Sequence, residues 1–422
     1  MSGWRPGTSA EPAAVAAAGV RVVMDTRPLQ DPDRAPLTAL YLDALLTALD
    51  ANPVAGESYS FLLGVDQDDP TTRWSNLEVI GRRLLPPTRL LRSGALTVDP
   101  LMLRGATAGA GWRAERGGAA GSVYHAAAGA LPIGSAIPVV AVLLDLAPWA
   151  LPDEYQRGTA SRFGQRLRAR ILKDASAVVV PGRAVAVEAR RLLHVKGDRL
   201  RVVPLAPRPA FRAEARDAGS EERTRMGLPP CYAVYAGRFD ARQDLPTLLE
   251  ALSRLAAGPP PAGVPAEAWP PRVALVGASP DDRSALSRAA ARAGVAELLA
   301  YAQGLPEDRL AGLVAGARVV LQPVRSDATG LTAMEALASG VPVIASSVGA
   351  LPEVVGSAGI LVEPGEPVRL ATAIAAVWSD ADPYPGLVAA ARERATTHRT
   401  WADVARETRA IWAEAARPGP FL

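Results

Sequence analysis

The stretch Leu321 to Gly340, LQPVRSDATGLTAMEALASG, holds the residue types and the spacing best suited to chemistry. An apolar run ends at Pro323 and a polar loop carries Asp327. The recurrence of apolar residues then predicts a helix from about Gly330, with Glu335 on its second turn. Thr329 reads as the N-cap of that helix. The amides of Gly330, Leu331 and Thr332 would then be left unpaired at the positive end of the helix dipole, a setting that suits a diphosphate. An ordinary strand-loop-helix unit would show the same spacing.

Site residues of this kind need a scaffold, and the chain alternates short β-branched runs with Ala- and Leu-rich helical stretches. Gly19 to Asp25, Ser58 to Val65, Pro138 to Leu144, Ala177 to Val180 and Leu200 to Pro204 read as strands. Leu37 to Leu49 and Thr159 to Lys173 read as helices, and the stretch up to about Ser122 reads as loop-rich. Residues 206–230 carry no sustained apolar period and read as a linker. A second series follows: Tyr232 to Ala236, Arg272 to Val276, Val319 to Pro323, Val341 to Ala345 and Ile360 to Val362. This alternation predicts an α/β fold of two Rossmann-like, doubly wound domains facing across a cleft, with sites at the carboxyl ends of the strands. The expected organisation is a disordered tail at 1–18, a first domain at 19–205, a second at 206–382, and helices at 383–422.

With the blocks in view, the chain resembles the GT-B glycosyltransferases of retaining family 4. That family's signature is a carboxylate, seven residues, then a glutamate, the spacing of Asp327 and Glu335. ALASGVPVIAS and GALPEVVGSAGILVEPGEP, downstream, match further family blocks, and YAVYAGRFDARQDLPTLLEAL resembles the loop that holds the donor diphosphate. RVVPLAP resembles the block just before the interdomain linker, MDTRPLQ and VYHAAAGALP are similar to blocks of the first domain in mannosyltransferase-like members, and TWADVARETRAIW resembles the helix that crosses back onto that domain. The resemblance implies transfer of a hexose from a nucleoside diphosphate sugar to a hydroxyl acceptor, a glycan or a lipid-linked one, with retention and without a bound metal or other cofactor. It implies that Asp327 orients the sugar and Glu335 takes the ribose. Arg238 would neutralise the diphosphate, and the amides of Gly330, Leu331 and Thr332 would cradle it. Asp145 and the loop around Arg27 would face the acceptor.

The chain also departs from the family pattern. Asp31 to Tyr41 lacks the usual glycines, Leu144 stands where a histidine commonly precedes Asp145, and Gln243 replaces the usual lysine, with Arg242 beside it. Asp327 replaces a glutamate, and Ala328 and Thr329 replace a glycine and an aromatic. The alternative reading is therefore a degenerate GT-B protein with a structural or regulatory role.

Composition narrows the remaining classes. Forty-nine per cent hydrophobic and 21% charged residues describe a globular chain. With 46 basic and 43 acidic residues the net charge is +3, too small a field for a nucleic-acid binder of this length. One cysteine and three histidines exclude disulfide frameworks and His/Cys metal cages. They point to a cytoplasmic setting. Asp31-Pro-Asp33 and Asp66-Gln-Asp68 superficially resemble the DxD metal site of GT-A transferases, but acidic loop residues explain them. The Thr159 to Lys173 helix sets Phe163, Leu167 and Ile171 beside Arg162, Arg166 and Arg170. That basic amphipathic face suits peripheral contact with an anionic membrane at its inner side. His125 is placed near a strand end facing the cleft, and Cys231 reads as a small buried hydrophobe.

Overall fold

The computed structural model describes residues 19–65, 67–86, 95–116, 121–127, 131–237, 239–381 and 383–417; at 95–97 and 109–116 it describes the backbone only. The expected tail at 1–18, Asp66 and Arg238 lie outside the described residues.

Thirteen strands form two parallel sheets among the described residues. The first contains β1 (Arg21–Asp25), β2 (Ser58–Gly64), β3 (Val79–Leu85), β4 (Ser122–Ala127), β5 (Val139–Val142), β6 (Ala177–Val180) and β7 (Leu200–Val202), in the order β3-β2-β1-β4-β5-β6-β7. The second contains β8 (Ala233–Ala236), β9 (Val273–Val276), β10 (Leu299–Ala302), β11 (Val319–Gln322), β12 (Val343–Ser346) and β13 (Gly359–Val362), in the order β10-β9-β8-β11-β12-β13. Central strands such as VVAV, AVVV, VALV and VVLQ are buried on both faces, so they read as continuous β-branched runs without alternation. Both sheets follow the doubly wound order, with the strand sequence reversing between β1 and β4 and between β8 and β11. Loops at the carboxyl ends of the central strands, those after β5 and β11 among them, meet at the cleft.

Three strands escape the periodicity reading. β3 is an edge strand whose Arg82 and Arg83 are exposed, β4 interrupts its apolar run with His125, and β10 is four residues at the other edge. The stretch up to Ser122 is thus not mainly loop: it holds β3 and a helix, Ala95–Arg116, whose glycines and internal Pro100 hide it. The segment 206–230 is also more than a linker. Phe211 and Leu228 are buried in the second core, and a 3-10 turn at Ala213–Gly219 packs tightly on the Glu307–Ala315 helix, Gly219 against Gly312.

The last described helix, Trp401–Ala415, opens with a capping box formed by Thr400 and Asp403. Its apolar face, Trp401, Val404, Ile411 and Trp412, is buried in the core of the first sheet with Tyr41, Leu45 and Tyr59. Arg409 pairs with Glu57 at 2.7 Å on the same face. Among the described residues no helix is long and apolar enough to cross a membrane.

Candidate active site

The second sheet delivers Asp327 to the cleft. β11 ends at Gln322, and the loop that follows is fixed by the Val324 amide donating to Ser346 Oγ (2.8 Å) and by an antiparallel bridge between Val324 and Gln243. Asp327 is buried. Its Oδ1 accepts the amides of Thr329 and Gly330, each at 2.8 Å, and its Oδ2 accepts Gln322 Nε2 at 2.6 Å. Burial raises the Asp327 pKa, and the amide bonds and the nearby Arg242 pull against that rise. The Asp327 carbonyl also accepts the Ala350 amide at 3.0 Å. A Cβ on Gly349 would stand 1.7 Å from that carbonyl oxygen, so only glycine fits there.

This arrangement corrects the expected cap. The Leu331–Ala338 helix is capped at Gly330, in the left-handed region at φ 64, and not at Thr329. The three amides are also not all unpaired: Gly330 donates to Asp327, and the Leu331 amide lies 3.4 Å from Thr329 Oγ1. A short carboxylate three residues ahead of the cap satisfies orphan donors locally. The negative charge at this helix end is thus the protein's own.

Glu335, on the same helix, is 5% exposed and gripped by Arg208, with Nε to Oε1 at 2.6 Å and Nη2 to Oε2 at 3.0 Å. Arg208 also reaches Glu307 at 3.2 Å and stacks over Phe211. Burial raises the Glu335 pKa while the Arg208 fork lowers it. Arg208 has no motif to announce it, because it lies in the polar stretch that reads as linker.

Opposite, the first sheet presents Asp145 just beyond β5. Its Oδ1 accepts the Ala147 amide at 2.9 Å, and its Oδ2 meets Arg242 Nη1 at 3.1 Å, across the cleft. Arg242 forks Asp240 with Nε (3.0 Å) and Nη2 (2.5 Å). Burial, with Asp240 close by, pushes the neighbouring Tyr155 hydroxyl up to about 12. Gln243 turns elsewhere: its Oε1 accepts the Tyr235 hydroxyl. Asp327, Asp145, Arg242 and Gln243 are therefore gathered at the cleft, and Glu335 sits beside it against Arg208. Arg27, after β1, is held by Asp25 at 2.7 Å and Asp99 at 3.2 Å.

His125 does not face the cleft. It is fully buried between Tyr41 and Trp412, accepting Trp412 Nε1 on Nδ1 at 3.1 Å, and burial lowers its pKa to about 3. Cys231 is half-buried, not fully so.

Further contacts tie the two halves together. Glu353, from the Leu351–Val355 helix, accepts the amides of Arg183 (3.0 Å) and Ala184 at the start of the Arg183–Leu193 helix. Arg325 lies 3.5 Å from Glu154, and Ala328 and Ala350 pack into the first sheet's second core layer.

Two facing doubly wound sheets, each with a carboxylate on a loop at the carboxyl end of a central strand, Asp145 after β5 and Asp327 after β11, define the GT-B architecture. Solved structures agree: sucrose-phosphate synthase from Thermosynechococcus elongatus superimposes with a TM-score of 0.68 at 20% identity, covering 94% of this chain and 98% of that one. Anabaena HepE in complex with UDP and glucose gives 0.65 at 16%, covering 94% and 100%. Residues 230–380 carry the domain described as Glycosyl transferases group 1. By sequence, the chain is similar to a D-inositol 3-phosphate glycosyltransferase of Acidothermus cellulolyticus, 31% identical over 217 residues, 49% of this chain and 47% of the relative. An MMP alpha-(1->4)-mannosyltransferase of Mycolicibacterium hassiacum is 34% identical over 128 residues, 30% of this chain and 31% of the relative. The matched segments span about half or less of those curated relatives.

Proposed function

We propose that this chain transfers a hexose from a nucleoside diphosphate sugar to a hydroxyl acceptor, with retention of configuration and without a protein-bound metal. The observation that carries the reading is the convergence on Arg242 of the β11 loop that bears Asp327 and of Asp145 from the opposite sheet, inside a chain that carries a glycosyl transferases group 1 domain. Asp327 orients the donor sugar, Glu335 takes the ribose beside Arg208, and Arg238, Gln243 and the amides from Leu331 and Thr332 hold the diphosphate. The Gly330 amide joins them only if Asp327 releases it. Asp145 faces the acceptor hydroxyl. The relatives are named as transferases, which speaks for turnover over a purely structural role.

The donor is to be read by thermal-shift titration with UDP, GDP, ADP and dTDP and their hexose conjugates. A ligand at about 100 times its Kd adds about 2.7 kcal/mol to the native state. UDP is the first probe, because the HepE structures hold UDP, glucose and UDP-glucose. A selective shift that Glu335→Ala abolishes supports the reading, and no shift with any of the panel sinks it. Replacing Gln243 with lysine is expected to tighten the donor.

The Thr159–Asp174 helix supports peripheral docking on anionic lipid from a cytoplasmic setting: Arg162, Arg166 and Arg170 are exposed, and so is Phe163, at 59%. Sedimentation with vesicles of phosphatidylglycerol, set against phosphatidylcholine, should show binding to the first that is lost when the three arginines become glutamates.

A further inference from the structure

Gln243 carries no charge and its carboxamide is turned onto Tyr235, so the position does not contribute a cation to the cleft. The adjacent Arg242 does, and every part of it is engaged. Its carbonyl accepts the Arg325 amide at 2.6 Å, anchoring the loop that carries Asp327. Its Nε and Nη2 lie on Asp240, which fixes the guanidinium plane. Nη1 is then aimed across the cleft at Asp145 Oδ2, 3.1 Å away. The other Asp145 oxygen is held by the Ala147 amide, so this carboxylate has one orientation only. With 17% of its side chain exposed, Arg242 acts in a partly desolvated setting, where a charge pair is stronger than on the surface.

We infer that Arg242 is a positioning residue: its main chain sets the Asp327 loop and its guanidinium sets Asp145 against that loop, so that one residue fixes the distance between the donor and acceptor carboxylates. The inference rests on the transferase reading proposed above. It differs from simple closure of the halves, because Glu353 also bridges them, on the Arg183–Leu193 helix, without touching Asp145.

The test uses the full chain with UDP-glucose as probe, UDP release as the rate, and small-angle scattering for the separation of the halves. Arg242→Ala should lower kcat by about 100-fold, the loss that a misplacement of about 1 Å produces, with the donor KM held within about threefold. Arg242→Lys should recover part of that loss. The double variant with Asp145→Asn should be no worse than the poorer single, as for residues that act as one unit. Glu353→Ala should widen the molecule yet keep kcat within about threefold at saturating donor. The inference is overturned if Arg242→Ala keeps its rate, if the double variant loses the product of the two effects, or if Glu353→Ala loses as much as Arg242→Ala. If the unaltered chain releases no UDP, the transferase reading fails for that donor. A double-variant cycle on thermal stability then decides: Arg242→Ala and Asp145→Asn losing less together than the sum of their separate losses upholds the tie to Asp145, and additive losses remove it.

Discussion

Asp327 does two jobs with one carboxylate: it stitches its own loop and faces the cleft. Asp327→Asn separates the two. Gln322 Oε1 is buried without a partner, so a flipped Gln322 amide can accept from the new Asn Nδ2 and donate to nothing it lacks now. Stability should change by about 1 kcal/mol, read as a urea midpoint, while donor turnover falls by about 100-fold or more. His125 gives a second prediction. Its ring titrates at about 3 when folded against 6.5 ordinarily. The unfolded chain therefore takes up the proton first. The ring's contribution is intact above about pH 6.5 and is lost as pH falls toward 3, by about 1.4 kcal/mol per unit. His125→Gln, which can still accept from Trp412, should flatten that dependence in denaturation at pH 7.5 and pH 5. At this scale the sequence exposed the motif carboxylates but not their partners. Arg208 has no spacing signature, because a salt-bridge partner 127 residues away is a product of the fold, and Gln322 reads only as the polar end of an apolar strand.

Among the elements, the Leu331–Ala338 helix depends on how it begins. Gly330 sits at φ 64, and a Cβ there would lie 2.8 Å from Val354 Cγ2. Gly330→Ala should cost about 1–3 kcal/mol and weaken the donor-induced thermal shift. Adding Val354→Ala should return the steric share and leave the backbone share. Continuous β-branched runs made the central strands legible, since a strand covered on both faces needs no alternation. Edge strands β3 and β10 were illegible for the converse reason: one flank meets solvent, and Arg82, Arg83 and Tyr301 break the apolar run. The N-cap was misplaced because Thr329 is the better cap by type, yet the Asp327 carboxylate competes for the same amides and forces Gly330 into the left-handed region.

The whole molecule is two sheets joined by the 206–230 segment, a cross-cleft set of polar contacts and a returning helix. Two cavities of about 250 and about 300 Å³ lie between the halves, one lined by Met334 and Glu353 and the other by Arg325 and Ser326, and neither is lined by Asp145, Arg242 or Asp327. Donor binding should change the scattering profile, because closure of two domains around a substrate assembles sites of this kind. Trp412→Ala removes the anchor of the returning helix and the donor to His125. It should destabilise the first sheet by about 3–5 kcal/mol and leave the second sheet's hydrogen-exchange protection unchanged.

The placement of Trp401–Ala415 on the first sheet also bears on how the chain is made. The ribosome finishes β7 and then adds roughly 200 residues before that helix emerges, an interval of about 10–40 s. Throughout it, Tyr41, Leu45 and Tyr59 wait without the aromatic face that will cover them. The sheet that is synthesised first is therefore the one completed last, and the nascent chain is most exposed to aggregation and chaperone capture while its second half is already closing.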